Sequence, residues 1–193
     1  MKILARGWFS ARGVVKLPGT PFARVFPRAR VMSLFADSRY QWRETYFVLF
    51  EKKNRPKAAD VKQALADLGP RLEVLHLHAN KEGQLESMTV LSHADAAGMD
   101  VTFVTGDEVK EQLVELKEEW QTRKLDPQEK LRLARLLHSD ARYDVFHFEE
   151  ITDIPSEEDE GPLDPGTLLL VLNKLAHLCH GLSLDPQSGE LLT

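Results

Sequence analysis

Thr45 to Phe50 reads Thr-Tyr-Phe-Val-Leu-Phe. Successive side chains of a strand point to opposite faces, which sets Thr45, Phe47 and Leu49 against Tyr46, Val48 and Phe50. Both sets are largely apolar or aromatic. A strand of this kind needs cover on both sides, so it belongs inside a sheet that carries packing layers on both faces.

The flanking patterns supply those layers. Pro56 sits where a first helical turn tolerates it, Val61, Ala64, Leu65 and Leu68 form one stripe, and Gly69 ends the helix. Leu72–Ala79 and Leu85–Leu91 flank Asn80-Lys81-Glu82-Gly83 and read as a hairpin. Met99 to Val104 reads as a further strand. Thr105 and Glu108 stand at capping-box spacing before a helix whose apolar stripe is Val109, Leu113, Leu116 and Trp120. Asp126-Pro127-Gln128-Glu129 starts the next helix, expected to bury Leu131, Leu133 or Ala134, and Leu137. Tyr143 to Phe148 is another strand. The fold class is therefore α+β: a single, mostly antiparallel sheet of about five to seven strands with about four helices packed on it. Strand, helix and hairpin in that order make it partly ferredoxin-like.

The last stretch is a helix starting at Asp164-Pro165-Gly166, then Gly181, a strand (Leu182 to Leu184), a turn and a final strand (Glu190 to Leu192). Leu168 to Leu172, Leu175, Ala176, Leu178 and Cys179 make this helix apolar nearly all round, which predicts a buried core helix. It is too short and too polar to span a bilayer, which takes about 20 residues. Gly181 followed by a strand, Asp185-Pro186-Gln187-Ser188-Gly189 and a last strand resembles the ending of uncharacterised bacterial α+β families, domains of unknown function. The resemblance covers the closing helix and hairpin. It implies a fold ending and no activity.

Charge is unevenly placed. Residues 1 to 31 hold seven basic residues and no acid, so a net charge of -5 leaves -12 on the remainder. An acidic body argues against nucleic acid as a partner, because neutralising phosphates takes clustered Lys and Arg. Residues 1 to 31 are expected to be a disordered basic leader, an arm able to touch an anionic surface, with the folded domain spanning 32 to 193. Glu149 to Glu160 holds seven acids in twelve residues and is expected to be a solvated loop. A lone Cys179 cannot form an internal disulfide. With no secretory signal pattern, the expected location is cytoplasmic.

Signatures of chemistry are sparse. There is no Gly-x-Ser-x-Gly elbow, no phosphate-cradling Gly-x-x-x-x-Gly-Lys, and no His-Glu-x-x-His or Cys-x-x-Cys. His76 and His78 lie two apart on a strand, share a face, and are the candidate metal ligands. A metal would need further donors, drawn from His93, His138, His147, His177, His180, Asp95 or Asp100. In the competing reading His76 and His78 line the wet face of the hairpin while Leu75 and Leu77 face the core. No catalytic or cofactor-binding residue is assigned. The expected function is a non-enzymatic, protein-binding or self-associating domain, with the helix at 107–123 (Glu111, Glu115, Glu118) and the acidic loop at 149–160 as contact surfaces. The alternative is a small metal-dependent hydrolase or metal-binding protein using His76 and His78.

Overall fold

The structure, a computed structural model, describes residues 33–121, 123–151 and 166–192. All of them belong to the unit Val31–Thr193. The leader expected at 1–31 and the greater part of the acidic loop lie outside the described residues.

In chain order the elements are β1 (Tyr40–Phe50), α1 (Ala58–Ala66), β2 (Leu72–Ala79), β3 (Leu85–Ser92), β4 (Ala97–Thr105), α2 (Asp107–Gln121), α3 (Pro127–Leu136), β5 (Ala141–Glu150), α4 (Gly166–Leu178), β6 (Leu182–Asp185) and β7 (Glu190–Leu191). The seven strands form one sheet in the order β2-β3-β4-β5-β1-β6-β7. Every neighbouring pair is antiparallel. The fold is thus a single antiparallel sheet with four α-helices, an α+β arrangement. The ferredoxin-like likeness stays partial. The β1–α1–β2 unit is present, but three strands (β5, β4 and β3) separate β1 from β2.

β1 lies inside the sheet, between β5 and β6, as its doubly apolar run demands. Phe47 and Leu49 join Val109, Leu113, Leu116, Trp120 and Leu136 under α2 and α3. Val48 and Phe50 join the larger cluster on the other face, under α1 and α4. Helices therefore sit on both faces of the sheet, and each buried Val or Leu contributes roughly 1.5–3 kcal/mol. The strand begins five residues earlier than the apolar run, at Tyr40. Residues 40–44 pair with the end of β5, past a bulge between Trp42 and Glu44. Gln41 to Glu44 are exposed, so pairing rather than burial defines this part of the strand and no apolar alternation marks it.

Local chemistry sets the other ends. Asp126 accepts hydrogen bonds from the amides of Gln128 and Glu129, and Glu129 accepts one from the amide of Asp126, which completes the capping box of α3. The buried face of α3 departs from expectation. Leu136 is the buried residue, Leu133 and Leu137 are half-buried, Ala134 is exposed and Leu131 is 72 % exposed. The helix docks by its C-terminal turn, so its first turns need no apolar stripe.

A short 3-10 turn, Leu34–Ala36, covers the far end of the α2 face. Leu34 packs with Leu91 and Phe148. A Cβ on Gly98 would stand 2.5 Å from the Leu34 Cδ1, so glycine makes the room. Asp100 secures the turn by accepting from Ser33 Oγ at 2.6 Å, the Leu34 amide at 2.8 Å and Thr89 Oγ1 at 2.7 Å.

Candidate functional site

α4 positions the site. Thr167, Leu168, Val171, Leu172, Leu175 and Ala176 face the sheet and α1, and all are buried. The expectation of a helix buried all round is corrected here. Leu169 is 36 % exposed and Leu170 40 %, because only one side of the helix meets the sheet and α1. Leu170, Asn173, Lys174 and His177 fall at i, i+3, i+4 and i+7 on the outer side, one stripe of a helix.

The end of α4 shapes the floor. The Gly181 amide donates to the Ala176 carbonyl at 2.8 Å and the His180 amide to the His177 carbonyl at 3.3 Å, a Schellman closure. The left-handed residue in that closure is His180, with φ +50°, where glycine is usual. Gly181 is required for a different reason: a Cβ there would lie 2.5 Å from the Leu49 carbonyl oxygen. Arg135, from α3, donates to the His180 carbonyl at 2.7 Å and so reaches the same rim.

Between these elements runs an open groove of about 520 Å³. Leu68, Leu170, Ala176 and Leu182 give it apolar walls. Arg135, Asn173, Lys174, His177 and His180 supply the polar groups, and among the described residues no carboxylate lines it. Its size and its mix of apolar surface with a few convergent polar groups suit a ligand or a peptide segment. Neither Arg135 nor Lys174 is in an ion pair among the described residues. Cys179 lies beneath, its thiol donating to the Leu175 carbonyl at 2.9 Å. Burial pushes its pKa up to about 12, so it is an inert core group and no nucleophile.

The candidate metal ligands lie elsewhere. In β2 the register passes from Leu75 opposite Thr89 to His78 opposite Ser87, three residues against two. His76 occupies this bulge with φ +47° and is exposed. It borders a crevice of about 100 Å³ with Ser33, Phe35, Thr89 and Phe146. The bulge breaks the expected alternation. Leu77 packs on the α1 and α4 side, whereas Leu75 packs with Leu34, Leu91 and Phe148 on the other. Among the described residues no group of three or more His, Cys, Asp or Glu side chains is placed to hold a metal ion. His93 meets Glu73 at 2.9 Å. Burial lowers the pKa of His147. Asp95 accepts from Thr167 Oγ1 and from Ser92 Oγ at 2.7 Å, which together lower its pKa. Asp95 and Asp100 therefore hold the fold together. Of the histidines considered, the structure brings His177 and His180 together, at the groove.

Two features were missed by sequence reasoning. Arg135 comes to the groove from another helix and has no local signal. Leu169 and Leu170 were readable only as a surplus of leucine, since an apolar residue carries no mark of which ones stay exposed. On the opposite side of the sheet, Glu111, Glu115 and Glu118 are exposed on α2 as expected, and Val114 among them is 57 % exposed. No helix among the described residues is long and apolar enough to cross a membrane.

Comparison of the chain with protein-family models, with curated proteins and with solved structures finds no match.

Proposed function

We propose that the chain is a non-enzymatic binding domain, and that the groove on α4 holds a segment of a partner protein that is apolar on one side and acidic on the other. The observation that carries this reading is the composition of the groove: leucine walls, two cationic side chains in no ion pair and two imidazoles, with no carboxylate, all among the described residues, on a protein of net charge -5. The left-handed backbone of His180 adds to it. A non-glycine residue in the left-handed region costs about 1–2 kcal/mol, and such strain clusters at working sites. Apolar contact with Leu170 and Leu182 supplies part of the affinity and the cationic side chains the rest. Exposed ion pairs add only about 0.2–1 kcal/mol each and act mainly on selection and on-rate.

The test is fluorescence anisotropy with a labelled helical peptide carrying Leu on one stripe and Glu beside it, against the same peptide with Lys for Glu. Binding of the acidic peptide alone is expected, weakened about tenfold, or about 1.4 kcal/mol, in a Leu170→Ser, Lys174→Gln variant. Equal binding of both peptides, or of neither, removes the reading.

A second reading, a metal-dependent hydrolase or metal-binding protein built on His76 and His78, is favoured by one observation, the left-handed φ of His76 beside a crevice. It requires near-stoichiometric metal in protein purified without chelator, lost in a His76→Ala, His78→Ala variant.

A further inference from the structure

The segment the groove calls for has a counterpart in this same chain. On α2, Glu111, Glu115 and Glu118 stand at i, i+4 and i+7 and form an outward ridge, opposite the buried stripe of Val109, Leu113, Leu116 and Trp120. Val114, 57 % exposed, lies beside that ridge. None of the three glutamates is in an ion pair among the described residues, and neither are Lys174 and Arg135. The lengths match as well. At 1.5 Å per residue the acidic ridge runs about 10 Å, and so does the stripe from Leu170 to His177 on α4.

The two surfaces cannot meet within one chain. α2 packs with Phe47 and Leu49 on one face of the sheet, and α4 packs with Val48 and Phe50 on the other. We infer that the occupant of the α4 groove is α2 of a second copy, its Glu111–Glu115–Glu118 ridge against Lys174, Arg135 and the histidines, and Val114 against Leu170. This rests on the groove reading given above. Because ridge and groove are different patches of the surface, one contact does not close a pair. The pair still offers a free groove on one copy and a free ridge on the other, a head-to-tail association that grows into chains or closes as a ring. The contact is small and charged, so it weakens as salt shortens the screening length, which is about 10 Å at 0.1 M.

Sedimentation velocity of the full chain tests this. At low salt the average mass is expected to rise above the monomer's 21.9 kDa as concentration increases, and to fall back on adding salt. Two variants with neutral surface changes separate the contacts: one without the ridge (Glu111→Gln, Val114→Ser, Glu115→Gln, Glu118→Gln), one without the groove wall (Leu170→Ser, Lys174→Gln). Each alone is expected to associate at least about tenfold more weakly. Mixed in equal amounts they retain one intact groove and one intact ridge, and are expected to stop at a one-to-one pair. A wild-type chain that stays monomeric throughout overturns the inference, as does association that neither variant weakens or a mixture no heavier than its parts. The peptide experiment keeps the two ideas apart. A monomeric protein that still takes the acidic peptide loses self-association and keeps the groove. A monomer that takes no peptide loses both.

Discussion

Trp120 donates its indole N–H to the carbonyl of Gly189 at 3.1 Å, and so ties the last turn of α2 to the turn that closes the chain. Arg123 adds a bond to the Ser188 carbonyl at 2.6 Å. The turn itself is built on Asp185, which accepts from the Gln187 amide and from Ser188 Oγ, while Gly189 takes φ +65°. The Asp-Pro-Gln-Ser-Gly motif is thus a turn held from outside by a tryptophan. Trp120→Phe keeps most of the apolar contact and leaves that carbonyl only the long bond from Arg123 Nη1 at 3.5 Å, at an expected cost of about 0.5–1.5 kcal/mol. Gly189→Ala is expected to lose about 1 kcal/mol, from its left-handed backbone and the crowding of a Cβ against Glu119 Oε1 at 2.8 Å. Urea unfolding midpoints measure both. Two neutral results would mean that the closing turn stands without this tie.

His180 and Gly181 are expected to respond with opposite sign to substitution. His180→Gly relieves a left-handed backbone and should stabilise by about 0.5–1 kcal/mol, while removing an imidazole from the groove. Gly181→Ala drives a Cβ toward the Leu49 carbonyl, which belongs to an interior strand and cannot swing aside. A cost of about 2–3 kcal/mol is expected. Thermal melts of the two variants decide it: if both move the same way, the assignment of which residue carries the turn and which the close approach is mistaken.

These adjacent residues also show where sequence reading stops. Gly181 was readable as the end of α4, because a glycine after an apolar run is a stop signal. That His180 takes the left-handed position, and that Gly181 is needed for Leu49, depends on a strand more than a hundred residues away. The capping box at Asp126 and Glu129 and the hairpin turn at Asn80 to Gly83 were legible because all their partners are local. The interior place of β1 was legible because both of its faces are apolar. Its neighbours were not, since strand order follows from which long-range pairs form. The bulge at His76 left no trace in composition, so the alternation of Leu75 and Leu77 misled. The groove was half legible: Lys174, His177 and His180 lie at helical spacing on one segment, but Arg135 joins them only through the packing of α3 against the α4–β6 turn.

Asp100 is a buried carboxylate that meets three donors. Asp100→Asn keeps one acceptor oxygen and turns an amide donor toward either Thr89 or the pair Ser33 and Leu34. Thr89 can rotate its hydroxyl to accept, whereas the Leu34 amide cannot. The predicted cost is about 1.5–3 kcal/mol, the range for a hydrogen bond to a charged group. Hydrogen exchange should localise the loss to Leu34–Ala36 and the ends of β3 and β4. Uniform loosening across the sheet would show that Asp100 serves the whole core and has no special part in holding the turn.

Alkaline pH should destabilise the protein through its core. Burial raises the Cys179 thiol from 9.0 to about 12, and burial raises the Tyr143 phenol above its ordinary 10.0. Both groups are neutral when protonated. In an unfolded chain they lose their protons at ordinary values, while the folded chain still holds them. Stability from this source is therefore fully present below about pH 9 and is lost progressively as pH rises from there through about 12. Urea midpoints should be level as pH approaches 9 and should fall above it. Cys179→Ser removes the thiol's share, leaving Tyr143's, and should flatten the fall between 9 and 10. The same burial predicts that a thiol reagent labels the native chain only at its unfolding rate. Rapid labelling of folded protein at neutral pH would place Cys179 at the surface and remove the basis for both expectations.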